Sequence, residues 1–243
     1  MARATQTLSL MAWPPHLSRW QLCAPLKAAA TPVAPIATSC PPLSLRYLNE
    51  FVGKLQCAPA LLDHELFPDA KEITESMALF NAVRRYVVSN NSPTWHDNGK
   101  RNGIIVVGDG TTPRTAALFA YRMPTWTSYS VDPALEKKET SKRAQGWSSI
   151  SNLVVIRNKI ENVRIQVNRA VLVLVHAHVT LEQALSAVDA DDVVGVVTLP
   201  CCNWYGQQEV LFNRGPDLVY DDFSILSDHR EVGGGGEGKM LLN

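Results

Sequence analysis

No apolar run in this 243-residue chain approaches the roughly 18 to 20 residues that span a bilayer. The run at Val171–Val175 is strand-sized, so a soluble protein without a membrane partner is expected. No Cys-x-x-Cys spacing occurs among the five cysteines, Cys23, Cys40, Cys57, Cys201 and Cys202. Their odd number in a chain of this size does not resemble a disulfide framework. Cys201 and Cys202 are adjacent and would pair with each other only under strain. A reducing compartment is the simpler reading. There is no Gly-x-x-x-x-Gly-Lys-Ser/Thr stretch, which excludes a Walker-type phosphate loop. Residues 1–49 contain no Asp or Glu, yet carry Arg3, Arg19, Lys27 and Arg46.

Charge is sparse, at 19% of residues, and sums to zero, but its signs are segregated. From Lys137 to Arg169 there are eight Lys or Arg against Glu139 and Glu161, and from Asp189 onward ten acids against three bases. The 137–169 segment is suited to meeting phosphate, hence RNA or a ribonucleoprotein; solvated helix faces explain it equally. The acid-free first 45 residues, rich in Ala, Ser, Thr, Leu and Pro, have the composition of a transit peptide. They imply a mitochondrial or plastid address, or a cytoplasmic protein if they are a disordered tail.

Residues 46–98 read as a helical extension. Ile73, Met77, Phe80 and Val83 recur at helical spacing after a start signal at Pro68–Asp69. Asn90-Asn91-Ser92-Pro93 and Asp97-Asn98-Gly99 break the pattern. Residues 99–232 then alternate. Strands are expected at Ile104–Val107, Trp126–Val131, Leu153–Ile156, Val171–Val175 and Val193–Leu199. Helices are expected over Thr112–Tyr121 and over Thr180–Val188, the second with Thr180 and Gln183 as a capping box. This order predicts an α/β, Rossmann-like, doubly wound and mostly parallel sheet with helices on both faces. Two strand-like pieces in Leu218–Val232 are placed at the sheet edge, and residues 233–243 are read as a flexible Gly-rich tail.

The first strand runs into Gly108-Asp109-Gly110-Thr111-Thr112-Pro113 and then a helix. A tight glycine turn at a strand's carboxyl end lets backbone N–H groups approach a nucleotide, and Asp132, 22 residues beyond Gly110, can accept ribose hydroxyls. The alternative is a turn that binds nothing. Val106–Pro113 resembles the first motif of class I S-adenosylmethionine-dependent methyltransferases, and Val131-Asp132 resembles the second. In that alignment Gly110 takes the first glycine, Gly108 stands where the family has an acid, Thr112 replaces the second glycine, and Asp109 lies one place off. The resemblance implies S-adenosylmethionine held by Gly108, Asp109, Gly110, Thr111, Thr112 and Asp132.

The fourth strand ends in His176-Ala177-His178 and the fifth in Pro200-Cys201-Cys202-Asn203-Trp204. A His after strand four with Cys-Cys after strand five is similar to a methyltransferase-like subset that includes a tRNA 2′-O-methyltransferase group. That group has a Cys where this chain has His178. The resemblance implies neighbouring strands opening on an acceptor cleft, framed by His176, His178, Pro200, Cys201, Cys202, Asn203 and Trp204. Trp204 could stack on a planar acceptor that Asn203 orients. Two His and two Cys could instead hold zinc, although the spacing is not that of a finger, and no metal site is assigned. Small buried cysteines and strand-capping histidines are the plain alternative. Asp221-Asp222 and Ser227-Asp228-His229-Arg230 form a last polar cluster. Three functions remain: a methyltransferase with RNA the favoured acceptor, an inactive binding or assembly protein on the same fold, and a metal-dependent hydrolase using His176, His178 and the acidic tail.

Overall fold

A computed structural model describes residues 45–88, 101–201, 204–222, 224–226 and 239–242. The proposed transit segment up to residue 44, both turn signals between 90 and 99, Cys202, Asn203, Ser227–Arg230 and Gly233–Gly236 lie outside the described residues. A seven-stranded sheet has the order β3-β2-β1-β4-β5-β7-β6. Its strands are β1 (Gly103–Val107), β2 (Thr127–Val131), β3 (Leu153–Ile156), β4 (Ile165–Val175), β5 (Val188–Leu199), β6 (Leu218–Asp221) and β7 (Lys239–Leu242). β1 to β5 pair in parallel, and β7 runs antiparallel to both β5 and β6. This is the Rossmann-like α/β architecture expected from the alternation of strands and helices.

Successive strand residues face opposite sides, and the core divides accordingly. On one face Ile104, Val106, Val171, Val173 and Val175 pack with α3 (Ala70–Ala82) and α4 (Arg114–Arg122). Helix α5 (Lys142–Trp147) lies between β2 and β3 in the chain, and on the other face Ile105, Val107, Leu172 and Leu174 pack with α6 (Leu181–Ser186). β1 is buried throughout, as its unbroken Ile-Ile-Val-Val run requires of a central parallel strand. α6 starts on the expected capping box, the Thr180 hydroxyl accepting from the Gln183 amide and the Gln183 side chain from the Thr180 amide.

The helical lead-in is α1 (Arg46–Lys54), α2 (Ala58–Asp63) and α3, capped by the Asp69 carboxylate on the Glu72 amide. It contributes Phe51, Leu61, Met77 and Phe80 to the same core as the sheet. Phe80 meets Phe119 of α4 edge-on at 5.6 Å. α3 continues into a π-helical turn, Val83–Val88.

Two boundaries differ from expectation. β4 and β5 begin well before Val171 and Val193, because their amino-terminal halves bury Ile165, Val167, Val188 and Ala190. Their polar residues are matched across the pair, Arg169 to Asp192 at 2.9 Å and Gln166 to Asp189 at 3.1 Å. The expected flexible tail is corrected at Lys239–Leu242. These residues form β7, with Met240 and Leu241 fully buried between β5 and β6. Burying such side chains stabilises by roughly 1.5–3 kcal/mol each. The sheet edge therefore closes through residues beyond the glycine run.

Candidate functional site at the carboxyl edge of the sheet

The glycine turn follows β1 directly. Gly108 has φ +92°, and a Cβ there would lie 2.2 Å from the Val175 carbonyl oxygen. Only glycine lets β1 pass this close to the end of β4. Gly110 also has φ +76°, but a Cβ there would meet only the end of the Arg114 side chain, at 3.2 Å. The Gly110 amide donates to Asp132 Oδ2 at 3.0 Å, and Ala134 donates to Oδ1 at 2.7 Å. The turn and the acid at the tip of β2 are thus joined. Each Asp132 oxygen accepts one of these backbone bonds and keeps a second lone pair for a hydroxyl.

The structure brings Gly108, Gly110 and Asp132 together, while Asp109 and Thr112 take other work. Asp109 is fully buried, accepting from the Thr115 and Ala116 amides at 3.0 and 3.2 Å and from the Ser130 hydroxyl at 2.8 Å. It satisfies first-turn N–H groups of α4 that have no partner within the helix. Burial raises its carboxyl above the usual carboxylate range against the opposing pull of Arg114. Thr112 is also buried, its hydroxyl donating to the Leu66 carbonyl at 2.6 Å. Both side chains are thus engaged within the protein, Asp109 on α4 and β2 and Thr112 on the Leu66 carbonyl. Thr111 stays exposed, its carbonyl accepting from Glu136 at 3.0 Å.

β4 is the other neighbour of β1. His176 at its tip adopts φ +47°, and its amide donates to the Leu199 carbonyl at 2.8 Å. Its Nε2 lies 2.9 Å from Glu75 Oε1, on a carboxylate only 2% exposed. Ala177 and Val179 are held by the buried Gln208, whose side-chain amide donates to both carbonyls, at 2.6 and 3.1 Å. His178 is exposed and stacks on Trp204 with ring centroids 5.5 Å apart and planes 8° from parallel. The Trp204 amide donates to the Cys201 carbonyl at 3.0 Å, Cys201 is half-buried and Pro200 is buried. The tips of β4 and β5 therefore converge as expected. Among the described residues, no group of three His, Cys, Asp or Glu side chains is arranged to hold a metal ion.

Glu75 was not among the expected site residues, nor were Glu72 and Arg114. Arg114 donates to the Asp109 carbonyl and forms an ion pair with Glu72. Burial raises the Glu72 carboxyl, with Arg114 opposing and the nearby Glu75 reinforcing the shift. The sequence signal is an acid at Glu75 inside the stretch Thr74–Phe80, where every residue is buried. Such a carboxylate requires a partner, and the partner lies 101 residues away.

The basic 137–169 segment is partly neutralised. Arg143 pairs with Glu136, Arg164 with Asp189 and Arg169 with Asp192, and Arg157 donates to the Leu135 carbonyl at 2.7 Å. Lys137, Lys138, Lys142 and Lys159 remain exposed. Two cavities lie away from the turn. One of about 440 Å³ is lined by His64, Ser141 and Arg143. The other, of about 700 Å³, lies among α1, the π-helical turn and β6.

The parallel sheet, the glycine turn at the tip of β1 and the acid at the tip of β2 define a Rossmann-like α/β protein. No protein-family model matches the chain, and no curated protein matches it. Solved structures with a similar fold include a coclaurine N-methyltransferase bound to N-methylheliamine and SAH (12% identity, TM-score 0.33, covering 55% of this chain). A putative methyltransferase from Thermoplasma acidophilum is 14% identical, with a TM-score of 0.35, over 59% of this chain and 67% of that one. An rRNA methylase from Streptococcus thermophilus is 14% identical, with a TM-score of 0.32, over 59% of this chain and 86% of that one. The likeness is one of fold. This chain spans 39% of the coclaurine enzyme's length.

Proposed function

We propose that this protein is an S-adenosylmethionine-dependent methyltransferase acting on RNA. One observation supports it above the others: the glycine turn, Asp132 and His176 stand together on the tips of β1, β2 and β4, which are adjacent parallel strands. The fit to the cofactor rests on Asp132, whose two oxygens each accept one backbone bond beside the glycine turn and keep a lone pair for a hydroxyl. Asp132 would hold the ribose and the backbone of the turn the methionine portion. When bound, S-adenosylmethionine supplies an electrophilic methyl group on a sulfonium. The protein's task is alignment more than acid-base work. His176, fixed by Glu75, and the His178–Trp204 stack would frame the acceptor, with Lys137, Lys138, Lys142 and Lys159 drawing its phosphates.

A second reading, a binding or assembly protein on this fold, is favoured by the engagement of the Gly110 amide with Asp132. Isothermal titration of the full chain with S-adenosylmethionine and S-adenosylhomocysteine separates the two. Micromolar binding (a Kd of about 1 µM corresponds to roughly −8 kcal/mol) that is lost in Asp132→Ala supports the enzyme. A folded protein that gives no heat points to the second reading.

A further inference from the structure

His176 has two features that a strand end does not require. It is not a glycine, yet it holds φ +47°, in the left-handed region, and strained positions of this kind concentrate at functional sites. Its imidazole is also bound to a carboxylate taken almost wholly out of water. Nε2 lies 2.9 Å from Oε1 of Glu75, whose side chain is 2% exposed. The other Glu75 oxygen is buried without a hydrogen-bond partner among the described residues. The buried Arg114 is committed to Glu72 and to the Asp109 carbonyl. A carboxylate so poorly supplied with donors gains most from a partner that can carry positive charge.

This pairing sets the chemistry of the ring. A carboxylate only accepts, so Nε2 carries the hydrogen and Nδ1 holds the free lone pair. Nδ1 has no partner among the described residues, and the side chain is 33% exposed. With Nε2 turned to buried Glu75, the accessible edge is the one that bears Nδ1. The residue also stands beside the glycine turn. The Val175 carbonyl oxygen and Ala177 Cα, on either side of His176, are the backbone atoms nearest to where a Cβ on Gly108 would lie. His178 differs, since its ring is exposed and stacked on Trp204.

We propose, resting on the methyltransferase reading, that His176 is the general base of methyl transfer and Glu75 its positioning partner. The acceptor is then an atom that carries a proton, such as a hydroxyl oxygen or an exocyclic amine. In the step, the acceptor atom forms a bond to the methyl carbon. The carbon–sulfur bond breaks and leaves its electron pair on sulfur. The acceptor's proton passes to His176 Nδ1, and the imidazolium so formed stands against the Glu75 carboxylate. A ring nitrogen that offers a lone pair alone, such as N7 of guanine, has no proton to give up and needs no such base.

Two measurements on the full chain test the assignment. In isotopically labelled protein, long-range nitrogen–proton NMR spectra read the tautomer, the His176 signals being those missing from His176→Asn. Asparagine tolerates the left-handed backbone and can still bond to Glu75, but it takes up no proton. The neutral ring is expected to carry its hydrogen on Nε2; hydrogen on Nδ1 overturns the assignment. The second measurement is transfer from methyl-labelled S-adenosylmethionine to total RNA, with the labelled nucleosides identified after digestion. His176→Asn should lower the rate at saturating RNA by about 100-fold or more. Its affinity for S-adenosylhomocysteine and its circular dichroism should match wild type. Glu75→Gln, which keeps an acceptor oxygen but not the charge, should lose rate as well while the apparent KM for RNA holds. Label on a proton-bearing oxygen or nitrogen supports the base. Label on a lone-pair nitrogen or on carbon overturns it, as does an undiminished rate in His176→Asn. A wild-type chain that binds no S-adenosylhomocysteine, or labels no RNA, fails at the underlying reading instead and takes the base with it.

Discussion

Gly108 and Gly110 both have positive φ in the same turn, yet alanine is expected to have very different effects at the two. At Gly110 the added methyl meets only the end of the Arg114 side chain, at 3.2 Å, which can move. The cost is mainly that of holding an L-residue in the left-handed region, about 1–2 kcal/mol. At Gly108 the same backbone cost applies, at φ +92°. The methyl would also stand 2.2 Å from the Val175 carbonyl oxygen and 3.1 Å from Ala177 Cα, and these are backbone atoms. Relieving the overlap means separating β1 from β4 by about 1 Å, against hydrogen bonds that run from Gly103–Ala170 to Val107–Leu174 and a closely packed interior. Gly108→Ala should therefore cost roughly 4 kcal/mol or more, placing it among the rare severe substitutions. Gly110→Ala should cost about 1–2 kcal/mol. Urea unfolding followed by circular dichroism measures both. Equal losses in the two variants, or a loss below about 1 kcal/mol in Gly108→Ala, would refute the view that strand crossing, rather than ligand approach, requires Gly108.

Other expectations concern the charges and the last strand. Glu72 has its carboxyl raised by burial, so the folded state binds more protons than the unfolded one and stability falls as pH rises above about 4.5, the ordinary value. Glu72→Gln should flatten that slope in denaturation curves taken between pH 4 and neutrality (about 4 to 7); an unchanged slope removes Glu72 as a cause. Replacing Met240 and Leu241 together by Ala should cost at least about 4 kcal/mol in urea unfolding, whereas a tail residue would cost nothing measurable. Glu75→Ala should lower stability by about 1–3 kcal/mol through loss of the hydrogen bond to His176. If S-adenosylmethionine binds, its affinity should be unchanged in that variant, because Glu75 acts through the acceptor side.

How far the residue pattern reveals the molecule depends on how local each cause is. Ile104–Val107 and Val171–Val175 declare buried strands because burial on both faces leaves no polar alternation. Thr180 and Gln183 declare a helix start because the cap is satisfied within three residues. The early starts of β4 and β5 are harder to read, since Asp189, Asp191 and Asp192 are matched or exposed only once the strands have paired. Asp109 shows the limit most clearly. Beside glycines it reads as a cofactor ligand, but its burial and its bonds to Thr115, Ala116 and Ser130 depend on how α4 and β2 close around it. Glu75 and His176 are separated by 101 residues, so their pairing cannot be read from either neighbourhood. Met240 and Leu241 lie past a glycine run that suggests a frayed end, and only the gap between β5 and β6 gives them a place.

That placement has a consequence for the order of assembly. Among the described residues β6 is hydrogen-bonded into the sheet through β7 alone, yet it is synthesised first and emerges without a neighbour. The parallel strands β1 to β5 can pair as they appear, whereas β6 must wait for a strand that follows it by 17 residues, from Asp221 to Lys239. The edge of the sheet is therefore the last part to form and the first expected to open, with amide exchange faster there than in β1 or β4. Because β6 supplies Tyr220 and Asp221 to one wall of the cavity beside α1, that cavity exists only while the final strand is docked.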